Sequence, residues 1–147
     1  MTRLDDKVFV TQTDTTIGFV SQDATRLTTI KQRPPHKSYI RTIPSLKTLK
    51  THTRIPAIYK NRVRRATKTT FIMPNGNSYR VVNDREHLLL LERLNWAYST
   101  SANPSGEDYN IEFANSNADI IISMPKTQYK KASTIVRLGG KVIRKVR

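Results

Sequence analysis

Three polar segments carry most of the residues with chemical potential: TQTDTTIGF from Thr11 to Phe19, KQRPPHK from Lys31 to Lys37, and STSANPSG from Ser99 to Gly106. Together they supply hydroxyls, amides and fixed cations, the groups that hold a polar substrate and a polyphosphate. Each sits at the end of an expected strand or helix, and in a sheet protein such ends converge on one edge. Singly, each also has a plainer use. TQTDTT suits a capping and turn sequence, KQRPP a helix terminus with cations on its dipole, and STSANPSG an Asx-rich turn.

Other chemistries find less support. His36, His52 and His87 are too far apart for a helical metal pair and the chain has no cysteine, so no metal site is expected. No G-x-S-x-G elbow marks a hydrolytic serine, and no Walker pattern is present, so phosphate binding would rest on Lys, Arg and backbone N–H groups. The formal charge of +15, from 26 Lys and Arg against 11 Asp and Glu, favours a polyanionic partner. It is unevenly spread: Ala24 to Asn83 holds fourteen Lys and Arg and no acid. Within it Arg54, Lys60, Arg62, Arg64, Arg65 and Lys68 are dense enough to form an RNA-binding patch on one helix and its connections. The longest apolar runs, Leu88 to Leu91 and Ile120 to Ile122, fall far short of a membrane span, and MTRLDDKVFV has no signal-peptide core. A cytoplasmic protein without membrane attachment is the expectation.

The elements that must position these groups follow from periodicity and turn chemistry. Lys7 to Thr11 reads as a buried strand. Asp23 caps a helix through Ala24, Leu27 and Ile30 that stops at Pro34-Pro35. Tyr39 to Ile43 is a short strand, and Pro44 and Pro56 each start a small helical piece. Thr69 to Met73 and Ser78 to Val82 form a β-hairpin about Pro74-Asn75-Gly76-Asn77. Asn83 or Asp84 caps the helix REHLLLLERLN, and Trp96 to Thr100 and Asp119 to Ser123 are strands. Ser133 to Leu138 and Lys141 to Val146 close the chain as strands joined at Gly139-Gly140. With 147 residues, one core is expected, spanning 1–147 as a single domain of α/β (α+β) class: a twisted mixed sheet with helices packed on it.

Taken in order, the segments QTDTTIG, KQRP, TTFIMP followed by SYRVV, STSANPSG, STIVR and VIRK resemble the YrdC-like domain family, the L-threonylcarbamoyl-adenylate synthases. Members combine L-threonine, bicarbonate and ATP, usually with Mg2+, and release pyrophosphate; the product serves tRNA threonylcarbamoyladenosine modification. The resemblance implies that Lys31 and Arg33 are catalytic and meet the ATP phosphates together with Lys37, Asn103 and Arg144. It implies a threonine pocket of Thr13, Thr15, Arg80, Ser101 and Ser133, with Ser101 and Asn103 bridging the two substrates.

The chain departs from the family pattern at several positions. Gln12 replaces the proline of the first motif, Thr67-Lys68-Thr69-Thr70 replaces G-P-x-T, Lys37-Ser38 follows KQRP where Asn-Pro or Lys-Pro is usual, and Thr42 and Arg137 stand for a histidine and an aspartate. Only six residues precede Lys7, where a helix is expected. Two functions therefore stay open: a shortened synthase, and a non-catalytic relative that binds RNA, double-stranded or as tRNA or rRNA.

Overall fold

β-branched and aromatic residues open the fold as β1 (Phe9–Gln12), and the chain returns through β2 (Ile17–Ser21) before α1 (Ala24–Lys31). There follow β3 (Ile40–Ile43), α2 (Leu46–His52), a 3-10 turn (Ala57–Tyr59), α3 (Lys60–Arg65), β4 (Thr69–Ile72), β5 (Ser78–Val81) and α4 (Arg85–Leu94). The chain continues as β6 (Ala97–Ser101), α5 (Ile111–Asn117), β7 (Ile120–Ile121), β8 (Thr134–Leu138) and β9 (Ile143–Lys145). This computed structural model describes residues 3–34, 37–122, 132–139 and 143–146. Pro35, His36, Ser123, Gly140 and Lys141-Val142, which enter the sequence expectations, lie outside the described residues.

The strands form one sheet in the order β7-β1-β2-β6-β3-β5-β4-β8-β9. β1–β7, β3–β5 and β4–β8 run parallel and the other neighbours antiparallel, so the sheet is mixed, as expected. Alternation along the strands sorts side chains between two faces. Val10 and Phe19 pack with Leu27 of α1 and Ala114 of α5, while Phe9 and Val20 pack with Leu90, Leu91 and Leu94 of α4. A third cluster joins Ile43, Phe71, Tyr79, Val81 and Val136 to Leu49 and Val63 of α2 and α3. Each such fully buried leucine contributes about 1.5–3 kcal/mol, so the helices are seated by their apolar stripes rather than by helix propensity. Among the described residues no helix is long and apolar enough to cross a membrane.

Several elements differ from the sequence expectation. β2 and α5 were not anticipated; their local signals are the run Ile17–Ser21 and Asn110, whose side chain accepts from the N–H groups of Glu112 and Phe113. α1 ends at Lys31 rather than at the proline pair, because Gln32 adopts a left-handed conformation (φ 52°) and its N–H bonds the carbonyls of Thr28 and Thr29. α2 starts at Leu46 with Ser45 as its cap instead of at Pro44. Asp23 and Asp84 cap α1 and α4 as their spacing predicts.

Candidate functional site

The turn between β1 and β2 is built from its own hydroxyls. Thr13 Oγ1 donates to Thr16 O (2.6 Å), accepts from the N–H of Thr15 (3.2 Å) and lies 3.3 Å from Thr15 Oγ1. Gln12 donates through Nε2 to the carbonyls of Thr13 (3.2 Å) and Thr15 (3.3 Å), so its side chain braces the turn. Gly18 lets the turn sit close to β6, because a Cβ there would meet Thr100 O at 2.9 Å and Thr13 Cγ2 at 3.3 Å.

Asp14, at the centre of this turn, is buried, and so is Arg80 on β5. Arg80 Nε donates to both Asp14 carboxylate oxygens at 3.1 Å and Nη2 lies 3.0 Å from Oδ1. Burial alone would raise the Asp14 carboxyl, but His87 and the Arg80 guanidinium outweigh it and hold the group below its ordinary value. His87 of α4 is 1% exposed and takes the Asp14 N–H on Nδ1 at 3.4 Å.

Lys31 is the last residue of α1 and its ammonium is buried against the Ser101–Glu107 loop. It donates to Ser101 O (2.8 Å), to Asn103 O, and at 3.4 Å to Asn103 Oδ1. Ser105 Oγ returns a bond to Lys31 O at 2.6 Å, and Asn103 Nδ2 bonds Pro104 O and Glu107 O, so helix end and loop form one unit. Arg33 follows with its guanidinium 4.7 Å from the centroid of the Tyr39 ring, and that ring is fixed by its hydroxyl on Thr28 (3.0 Å).

Burial, helped by the neighbouring charge of Arg33, lowers the Lys31 ammonium from 10.5 to about 8. Above that pH the amine keeps two N–H donors for three acceptors. The Asn103 and Ser105 amide resonances should therefore titrate with a midpoint near pH 8 in heteronuclear NMR spectra, and Lys31→Met should remove the transition. From pH 8 to 10.5 the unfolded chain holds the proton that the folded chain has lost, so this group makes stability rise with pH across that window.

These parts enclose a pocket of about 250 Å³ whose lining includes Thr15, Arg33, Tyr39, Arg80, Ser101 and Ser133. Ser133 is held at 2.7 Å from Thr70 Oγ1 across the parallel β4–β8 pair. Five sequence-nominated residues thus meet in one cavity, coming from the first turn, the end of α1, β5, β6 and the start of β8. Thr13 and Lys31 lie buried behind the lining, and Asn103 lies in the loop strapped to Lys31. Lys37 is exposed beside the pocket residue Ser38. Arg144 is exposed on the edge strand β9, opposite Arg137, and is not among the residues lining the pocket.

The nominated RNA cluster lies elsewhere. Arg62 and Arg65 of α3 line a groove of about 480 Å³, floored by Phe71, Val136 and Ile143 and bordered on its far side by Lys145 of β9. Arg64 is exposed and bonded to Asn61, and Arg54 and Lys68 are exposed nearby in sequence, while Lys60 is partly buried. Sequence reasoning missed Lys145, because only the β4–β8–β9 pairing brings the C-terminal strands beside α3. It missed Asp14 as the partner of Arg80 and His87 as the partner of Asp14, because these pairs lie 66 and 73 positions apart in sequence.

Residues 3–147 match the family model Sua5_yciO_yrdC, described as "Telomere recombination". Among solved structures, the fold is similar to that of P. abyssi Sua5 complexed with L-threonine, with a TM-score of 0.83 and 20% identity over 97% of this chain and 50% of that one. It is similar to E. coli YciO, with a TM-score of 0.76 and 20% identity over 97% of this chain and 82% of that one. MTH1692 from Methanobacterium thermoautotrophicum gives a TM-score of 0.72 at 20% identity, over 97% and 80% of the two chains. The chain therefore spans about half the length of the P. abyssi protein. No curated protein matches the sequence.

Proposed function

Because this chain belongs to the Sua5/YciO/YrdC family, we propose that its polar pocket makes L-threonylcarbamoyl-adenylate from L-threonine, bicarbonate and ATP, for the modification of tRNA. The observation that carries this reading is the convergence of Thr15, Arg33, Arg80, Ser101 and Ser133, drawn from five separate segments, on one cavity.

In the proposed reaction the threonine amine takes up bicarbonate as a carbamate with loss of water. A carbamate oxygen then attacks the α-phosphorus of ATP, and the bond to the departing pyrophosphate breaks. Such a step depends on positioning and on cations that neutralise charge on the phosphates. Arg80 would hold the threonine carboxylate, with hydroxyls of Thr15 and Ser133 beside the amino acid. Arg33, steadied on Tyr39, would meet the phosphates. Lys31 would fix the Ser101–Asn103 loop between the two substrates while adding positive charge behind it. Among the described residues no group of three or more His, Cys, Asp or Glu is placed to hold a metal. Mg2+ enters this reading as part of the ATP substrate. Pyrophosphate release should require ATP, threonine and bicarbonate together; release that ignores threonine would overturn the assignment.

A second reading, RNA binding, is favoured by charge segregation. All eleven carboxylates lie outside Ala24 to Asn83 and none follows Asp119, and the β4–β8 pairing joins these two acid-free stretches around the Arg62–Arg65–Lys145 groove. Replacing all three by serine should lower affinity for double-stranded RNA whatever its sequence. It should also reduce the slope of log K against log salt by about 3, measured by fluorescence anisotropy at several salt concentrations. Threonine binding should not change.

A further inference from the structure

The reading above uses Arg80 and leaves two buried polar residues behind it without a task. Asp14 is 4% exposed and His87 is 1% exposed, and the most economical interior for such positions would be apolar. Instead they form a continuous contact path from α4 to the pocket. The backbone N–H of Asp14 donates to His87 Nδ1 at 3.4 Å, and the same nitrogen lies 3.5 Å from Asp14 Oδ1. The Asp14 carboxylate then takes Arg80 Nε on both oxygens and Nη2 on Oδ1. His87 stands in the first turn of α4, where its backbone N–H donates to the capping Asp84 carboxylate at 3.0 Å.

Resting on that reading, we infer that Asp14 and His87 are positioning residues for amino-acid recognition: His87 fixes the Asp14 turn, and Asp14 fixes the Arg80 guanidinium that receives the substrate carboxylate. The geometry supports the division of labour. An arginine side chain on a strand carries much rotamer freedom, and binding a small carboxylate with it costs less when that freedom is already lost. Asp14 takes Nε and Nη2, which leaves Nη1 outside that pair, and Arg80 lines the pocket. The same turn carries Thr15 into the pocket, so one anchor at α4 sets the position of an arginine on β5 and a threonine on the turn. Neither Asp14 nor His87 is among the residues lining the pocket, so neither is assigned a contact with substrate.

The test combines calorimetry with NMR of the arginine Nε–H groups in the full chain, using Asp14→Asn, His87→Leu and His87→Asn, with Arg80→Lys to identify the Arg80 signal. Asn at 87 keeps a polar atom where Nδ1 stands, and Leu does not. L-threonine affinity should fall at least about tenfold in Asp14→Asn and severalfold in His87→Leu, recover in His87→Asn, and ATP affinity should change less than twofold throughout. A purely structural role would weaken both ligands alike. The Arg80 Nε–H signal should be sharp in the unmodified chain and in His87→Asn, and broadened or lost in Asp14→Asn and His87→Leu. An unchanged Arg80 signal in folded Asp14→Asn overturns the inference. If the unmodified chain binds no threonine yet the Arg80 signals respond as described, the positioning stands and the synthase reading falls.

Discussion

Alanine at Lys31 is expected to abolish threonine-dependent pyrophosphate release, and alanine at Arg33 to lower it by about 10²–10³-fold, the usual effect of removing one preorganised charge-stabilising group. The two variants should separate when stability is measured alongside activity. Lys31 donates to the carbonyls of Ser101 and Asn103, and its loss leaves those acceptors and Asn103 Oδ1 without their ammonium. Unpaired acceptors of this kind cost about 1–3 kcal/mol. Lys31 is also destabilised by its own burial, as its lowered ionisation near 8 records, so the net loss belongs at the lower end of that range. Arg33 lies over the Tyr39 ring and lines the cavity without bridging elements, so Arg33→Ala should melt within a few degrees of the parent. Thermal melts with pyrophosphate assays of both variants check this. Equal stability loss with full activity in either would contradict the assignment.

That contrast also marks what could be read from the residues alone. KQRP singles out Lys31 and Arg33 by residue type, order and spacing, and the structure places Arg33 in the pocket lining and Lys31 against the Ser101–Asn103 loop. The role of Lys31 as a tether was not, because its partners lie about seventy positions away and come close only once β6 pairs with β2 and β3. Local signals of capping and tight turns held at Asp23, Asp84 and Pro74–Asn77, where the deciding atoms are within a few residues. β2 escaped notice because Gly18 interrupts a run preceded by hydroxyl-rich turn residues, and its status as a strand is decided by pairing with β1 and β6. α5 is short and half-polar, and tertiary packing of Ala114 and Phe113 onto Phe19 sustains it. Arg144 is the contrasting case: the resemblance implies a nucleotide contact, and β9 carries the residue on the exposed edge of the sheet.

The largest stability effect is expected at Arg80. Arg80→Met removes the guanidinium but leaves the Asp14 carboxylate buried, and breaking a buried pair from one side costs about 3–5 kcal/mol. The pH dependence identifies the cause. In the parent chain Asp14 ionises below its ordinary value, so its contribution to stability is present above about pH 4 and is lost as pH falls through the folded value. Without Arg80, burial is opposed by His87 alone, so Asp14 takes up a proton more readily; the deficit of Arg80→Met should then be widest near neutral pH and shrink on acidification. Equilibrium urea unfolding at several pH values measures this directly. Adding Asp14→Asn to Arg80→Met removes the orphaned charge and should restore most of the loss, while threonine binding stays absent because the carboxylate receptor is gone. A folded, stable double variant that still binds threonine would take Arg80 out of the binding site. A single Arg80→Met variant within about 0.5 kcal/mol of the parent, the range of an ordinary surface change, would mean that the buried pair supports nothing. Recovery of stability without recovery of binding is the outcome that assigns Arg80 both roles, holding the first turn in place from behind and receiving a carboxylate in front.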